Sequence, residues 1–202
     1  MTRAAPLPLD ERRAALIAAT EPLLERFGRD VSTRQIAEAA GVAEGTIFRA
    51  FATKEALIDA VIEDAYDVQH TCDELAQVDL GLSFEQRLIA AVGILQERLR
   101  RLLALFGSLQ LRKQPHDHDS FRAKQQADNG LLNGALAILI KPDQQRLRLD
   151  PVEAASALRA ITFAMSHHVL GDQRLAQPQQ IVDLFLYGVC RQRGPHRGRT
   201  SC

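Results

Sequence analysis

Residues 31–62 read VSTRQIAEAAGVAEGTIFRAFATKEALIDAVI, and no other stretch of the chain limits its fold so tightly. Ser32 is a good helix cap and opens a short helix from Thr33 to Ala40. Ile36 and Ala40 share one face of it, while Arg34, Gln35 and Glu38 lie on others. Gly41 can take the left-handed conformation that stops the helix, with Val42 packed beneath the turn. A second short helix follows from Glu44 to Phe51, with Ile47 and Phe51 inward and Thr46, Phe48 and Arg49 outward. Thr53 caps a third, with Lys54 and Glu55 in its first turn. Two short helices joined by a glycine-containing turn make a helix-turn-helix, a device that presents its second helix to the major groove of DNA.

The rest of the chain also reads as helix, so the expected fold class is all-α. Asp10–Phe27 keeps a helical stripe of Leu16, Ile17, Leu23, Leu24 and Phe27, ended by Gly28. Pro22 interrupts it and predicts either a kink near Ala18–Pro22 or two separate pieces. The helix from Lys54 is expected to continue to about Gln77, as a link between two domains. Ser83 caps a long helix over Phe84 to about Lys113, ended by Pro115. A loop containing HDHDS follows, then helices over Phe121–Ile140, Val152–Leu170 and Gln179–Arg191. Asp150-Pro151 is a cap followed by a first-turn proline. The expected domains are a helix-turn-helix head over 1–53, a helical ligand-binding and dimerisation domain over 54–192, and a disordered tail over 193–202.

Composition narrows the function classes. Twenty-five basic and 25 acidic residues leave a formal net charge of zero in a chain of 202. A nonspecific nucleic-acid coat would show a basic excess; a specific reader needs only local charge, which Arg34, Arg49 and Lys54 can supply. No apolar run reaches membrane-spanning length and the N-terminus lacks a signal-peptide core, so a cytoplasmic protein with no membrane partner is expected. Cys72, Cys190 and Cys202 have neither metal spacing nor a disulfide framework. His116, Asp117, His118 and Asp119 are metal-ligand types, but without a nearby third partner they read as a solvated turn, and no metal or cofactor is expected. No paired carboxylates and no Ser/His/Asp order point to an enzyme.

The segment from Ser32 to Leu57 resembles the TetR family of transcriptional regulators. The residues that carry the resemblance are Ser32, Thr33, Ile36, Ala37, Ala40, Gly41, Val42, Gly45, Thr46, Ile47, Phe48, Phe51, Lys54, Glu55 and Leu57. It covers roughly the first third of the chain. It implies an all-helical homodimer that binds double-stranded operator DNA and is released when a small molecule enters the second domain. DNA contacts are then expected from Thr33, Arg34, Glu44, Gly45, Thr46, Phe48, Arg49 and Lys54. Arg49 is the candidate for gripping a guanine edge; Thr33 and Lys54, at helix starts, are candidates for phosphate. Phe48 stands where tyrosine is common, Ala50 where histidine is common, and Ala43-Glu44 where a small hydroxyl residue and a lysine are frequent. Those changes remove phosphate contacts.

The second half offers a ligand pocket and a dimer surface. Apolar pockets with a few placed polar groups suit small effectors, and the candidates are Phe106, Gln110, Phe121, Gln125, Asn129, Phe163 and His167, with Asn133 and His168 beside them. The last two helices are the expected homodimer interface, through Leu158, Ile161 and Met165 on one and Ile181, Phe185 and Val189 on the other. The leading expectation is therefore a repressor released from its operator by a small, mainly apolar ligand. The alternative is a dimeric DNA-binding scaffold with no ligand.

Overall fold

The computed structural model describes residues 8–109, 118–167 and 173–188, all of them helix or connecting turn. The helices are α1 (Leu9–Phe27), α2 (Thr33–Ala40), α3 (Glu44–Ala50), α4 (Lys54–Tyr66), α5 (Gln69–Ala76), α6 (Phe84–Leu109), α7 (His118–Ile140), α8 (Pro151–Ser166) and α9 (Pro178–Tyr187). The chain forms two compact units, one of residues up to His70 with Arg98–Asp128, the other of Thr71–Glu97 with the residues from Asn129 onward.

In the first unit, α1 to α4 close on a core of Leu16, Leu24, Val31, Ile36, Ile47, Phe51, Leu57, Ile58 and Val61, each at most 3% exposed. Leu105 and Leu109 of α6 belong to the same core. The compact unit therefore runs past residue 53 and takes in the whole of α4. Helix α1 runs continuously through Pro22, which excludes two separate pieces. Where α1 ends, Gly28 takes φ +57°, and a Cβ there would lie 2.6 Å from the carbonyl oxygen of Ser108. Glycine is needed at that point both for the backbone angle and for the close approach. Arg101 of α6 grips Glu21 of α1 with two bonds, Nε to Oε1 at 3.0 Å and Nη2 to Oε2 at 2.9 Å.

The expected single helix from Lys54 to about Gln77 is in fact two, α4 and α5. Asp67 leaves the helix in an extended conformation (ψ 126°) and its carboxylate accepts from the Gln69 N–H at 3.0 Å. Arg98 donates to the carbonyls of Tyr66 and Asp67, both at 2.8 Å, which satisfies oxygens that the break deprives of helical partners. No glycine or proline marks this break. Other boundaries differ by a few residues: α7 begins at His118, inside the expected loop, and α8 and α9 stop at Ser166 and Tyr187.

The second unit buries Leu88, Ala91, Val92, Leu136, Leu139, Leu158, Ile181 and Val182. Arg87, 4% exposed, sits among them. Its guanidinium donates to the carbonyls of Leu139 (3.1 Å), Leu80 (3.1 Å) and Leu82 (2.6 Å) and pairs with Asp143. It joins the start of α6 to the loop before it and to the end of α7. Asp150 caps α8 as expected: Oδ1 accepts from the N–H groups of Val152 (2.8 Å) and Glu153 (3.0 Å), and Glu153 returns a bond to the Asp150 N–H. Among the described residues no helix is long and apolar enough to cross a membrane.

Candidate nucleic-acid interface

Local chemistry sets the angle between α2 and α3. Ser32 and Gln35 form a full capping box at the start of α2, with the Gln35 N–H reaching Ser32 Oγ at 3.2 Å and Gln35 Oε1 accepting from the Ser32 N–H at 2.8 Å. Gly41 ends α2 with φ 66° and ψ 30°, the left-handed geometry expected of it. Ile36 and Ile47, both fully buried, lock the two helices onto the head's core. Thr53 caps α4 by accepting from the Ala56 N–H at 3.0 Å.

With the apolar residues spent on the core, the outer face of α3 carries Gly45, Phe48 and Arg49, all exposed, and the half-buried Thr46. Phe48 is 51% exposed, a large aromatic left in water on a seven-residue helix. Nothing lies within 4 Å of the position a Gly45 Cβ would occupy, so the surface there is open to close approach. Arg49 has no hydrogen-bond or ion-pair partner among the described residues, whereas Arg34 lies along α2 in an exposed pair with Glu38 (3.0 Å).

Two expected contacts are already engaged within the chain. Thr33 Oγ1, at the start of α2, donates to the carboxylate of Glu44 at the start of α3. A carboxylate thus engages the Thr33 hydroxyl, which was expected to meet an outside phosphate. Lys54 Nζ donates to the carbonyls of Arg29 (3.0 Å) and Val31 (3.2 Å), closing the turn between α1 and α2. An ammonium has three donors, so one remains beyond these two bonds. Arg13 was missed by sequence reasoning: it donates to the Ala50 carbonyl at 2.7 Å, at the C-terminus of α3, and lies over the Phe51 ring at 4.2 Å. Its helical position on α1 gave no hint of a partner 37 residues on.

The comparisons decide what this head is. The sequence model described as bacterial regulatory proteins, tetR family, matches residues 16–61, which is α1 from Leu16 through most of α4. Residues 16–61 are thus the DNA-binding head of the tetR family of bacterial regulatory proteins. Regulators of this family are transcription factors, not enzymes. Solved structures of similar fold include a TetR transcriptional regulator of Streptomyces coelicolor, 26% identical, covering 87% of this chain and 97% of that one, TM-score 0.56. A TetR/AcrR-family regulator of Thermobifida fusca is 21% identical over 90% of this chain and 100% of its own, TM-score 0.58. NalD, the secondary repressor of the MexAB-OprM multidrug efflux pump in Pseudomonas aeruginosa, is 20% identical over 92% and 100%, TM-score 0.50. At those identities the last two are likenesses of fold alone.

The ligand and dimer candidates are placed less tidily. Phe106 packs against Tyr66 in the first unit, ring centres 5.2 Å apart and planes tilted by 51°, and Gln125 is exposed. In the second unit Asn129 bonds to Arg159, and Phe163, 49% exposed, lies 5.6 Å from the His167 ring. Gln110, the Phe121 side chain and Val189 lie outside the described residues, as do His168 and the first two residues of the HDHD run. Leu158 and Ile181, expected at the dimer surface, are both fully buried within the single chain. They are core, because the stripe with the strongest apolar periodicity faces inward. Ile161, Met165 and Phe185 are half-buried, while the exposed residues of α8 are Val152, Glu153, Ala160, Phe163 and Ala164.

Proposed function

We propose that this regulator is a repressor that binds a roughly palindromic operator as a homodimer and is released by a small effector held in its second unit. The observation that carries the DNA half is the outer face of α3. Gly45, Phe48 and Arg49 stand exposed on a helix whose other face is closed into a core. In a helix-turn-helix that face enters the major groove. Arg49 reads a guanine edge through two hydrogen bonds. Gly45 and Thr46 allow the backbone to come close, and Phe48 makes an apolar contact with a thymine methyl or the sugar. Thr33, Arg34 and Lys54 flank the groove and meet phosphate. Glu44 accepts from a cytosine amino group or yields Thr33 to the backbone.

A single head reads too few base pairs for specificity, so dimerisation is required. The exposed Val152 and the half-buried Ile161, Met165 and Phe185 are better placed for it than the buried Leu158 and Ile181. Repression finds support in NalD, a repressor of similar fold. The regulator acts in the cytoplasm, where its operator is. Selection of bound duplexes from a random pool tests the reading. An inverted repeat with half-site centres about one helical turn apart, ~34–36 Å, is expected. Enrichment of a single asymmetric half-site by a monomer would overturn it.

A further inference from the structure

The guanidinium of Arg159 on α8 is held in an unusual way. Its Nε donates to Asn133 Oδ1 at 3.0 Å and its Nη1 to Asn129 Oδ1 at 2.8 Å, both on α7. Four other half-buried or buried arginines meet negative charge. Arg87 pairs with Asp143 and Arg101 with Glu21. Arg13 and Arg98 bond carbonyls at the C-terminal ends of α3 and α4, which carry partial negative charge. Arg159 has two neutral amides instead, and among the described residues no carboxylate lies within 4.0 Å of it. Its surroundings withdraw water, which lowers its pKa from the ordinary value, yet an arginine stays protonated at such sites.

The donor count sharpens this. Arginine has five N–H groups and no acceptor, so both asparagines must turn their oxygens toward it and their NH2 groups away. Two of the five N–H groups are used. The two Nη nitrogens keep three between them, donors of the kind that bind a carboxylate. The cluster therefore offers donors and positive charge with no counter-charge. One turn along α8, the half-exposed Phe163 ring adds apolar surface next to it.

We propose that Arg159, positioned by Asn129 and Asn133, binds the carboxylate of a small organic acid whose hydrocarbon part lies on Phe163. This rests on the effector half of the proposed function, and it replaces a purely apolar effector with an anionic amphiphile.

The test uses the full-length chain labelled with nitrogen-15. Sodium acetate, the bare carboxylate, is titrated while the Arg159 Nε–H and the side-chain amides of Asn129 and Asn133 are followed by NMR. Sodium chloride holds the ionic strength constant, and acetamide is the neutral control. Saturable shifts with acetate and none with acetamide are expected, with benzoate binding more tightly than acetate. Arg159→Gln should weaken benzoate binding about tenfold or more. Unmoved resonances in the unmodified protein, or equal shifts with acetamide, would overturn the site whether or not the variant folds. So would unmoved resonances together with dissociation of a dimer by Arg159→Gln, which would place a second copy's carboxylate there. Operator binding is measured separately, without acetate. Its failure would sink the DNA reading alone and leave the acetate result to judge the site.

Discussion

The outer face of α3 and the second unit treat arginine in opposite ways. On α3, Arg49 is exposed and no described residue holds it; in the second unit, Arg87 and Arg159 are held by bonds across elements. A free arginine keeps its side-chain entropy until it meets DNA, and specificity then comes from the two-bond grip on a base. A held arginine has lost that entropy at folding, so its bonds either stabilise the unit or stand ready for a ligand. Stability should thus be concentrated in the cores and recognition on a few side chains that contribute little to folding.

The largest expected effect lies at Arg87. Arg87→Ala should destabilise the second unit by about 3–5 kcal/mol, because Asp143 and three carbonyls lose their buried partner. Denaturant unfolding measures it, and a loss below about 1 kcal/mol would mean that water replaces the network. Next comes the first unit. Gly28→Ala should cost about 1–3 kcal/mol, since the new Cβ meets the Ser108 carbonyl and the backbone angle is strained. A melting temperature equal to that of the unmodified chain would show that α1 and α6 separate readily.

Smaller effects sharpen the division at the head itself. Lys54→Met should cost stability, about 1 kcal/mol, through the lost bonds to Arg29 and Val31. A lower salt dependence of DNA binding with unchanged stability would instead assign Lys54 to phosphate alone. Glu44→Gln should strengthen DNA binding by up to about 1 kcal/mol, because it removes a negative charge from the start of α2. Weaker binding confined to one base pair would make Glu44 a base reader. The smallest effect is on pH. The N–H bonds from Glu153 and Val152 hold the Asp150 carboxyl below its ordinary pKa. Its contribution to α8 is present above the unfolded-state value and fades as pH falls through the lower folded one. Asp150→Asn, which still caps, should make α8 less sensitive to acid in hydrogen exchange.

Much of the head was legible because its signals are local. Ser32, Gly41 and Thr53 announce helix ends within three or four residues, as Asp150 does in the second unit, and each does what its chemistry demands. Ile36, Ile47 and Phe51 follow from periodicity. What escaped was long-range. The break at Asp67 has no glycine or proline; Arg98, 31 residues away, supplies the bonds that make it tolerable. Nothing local to Arg87, Arg98, Arg101 or Arg159 sets them apart, and only tertiary contact distinguishes a buried network from a solvated surface. Two of the dimer candidates were misplaced for the converse reason. Periodicity marks the face that is buried, and Leu158 and Ile181 are buried in their own chain.

The central claim is that the outer face of α3 reads DNA while contributing little to folding. The most direct measurement is binding of Arg49→Ala and the unmodified protein to the selected operator and to each of its single-base variants, alongside thermal unfolding of both proteins. The expected result is a loss of about 1–3 kcal/mol with discrimination relaxed at one base position, and stability within about 0.5 kcal/mol of the parent. A uniform loss over all sequences, or no loss, would contradict it.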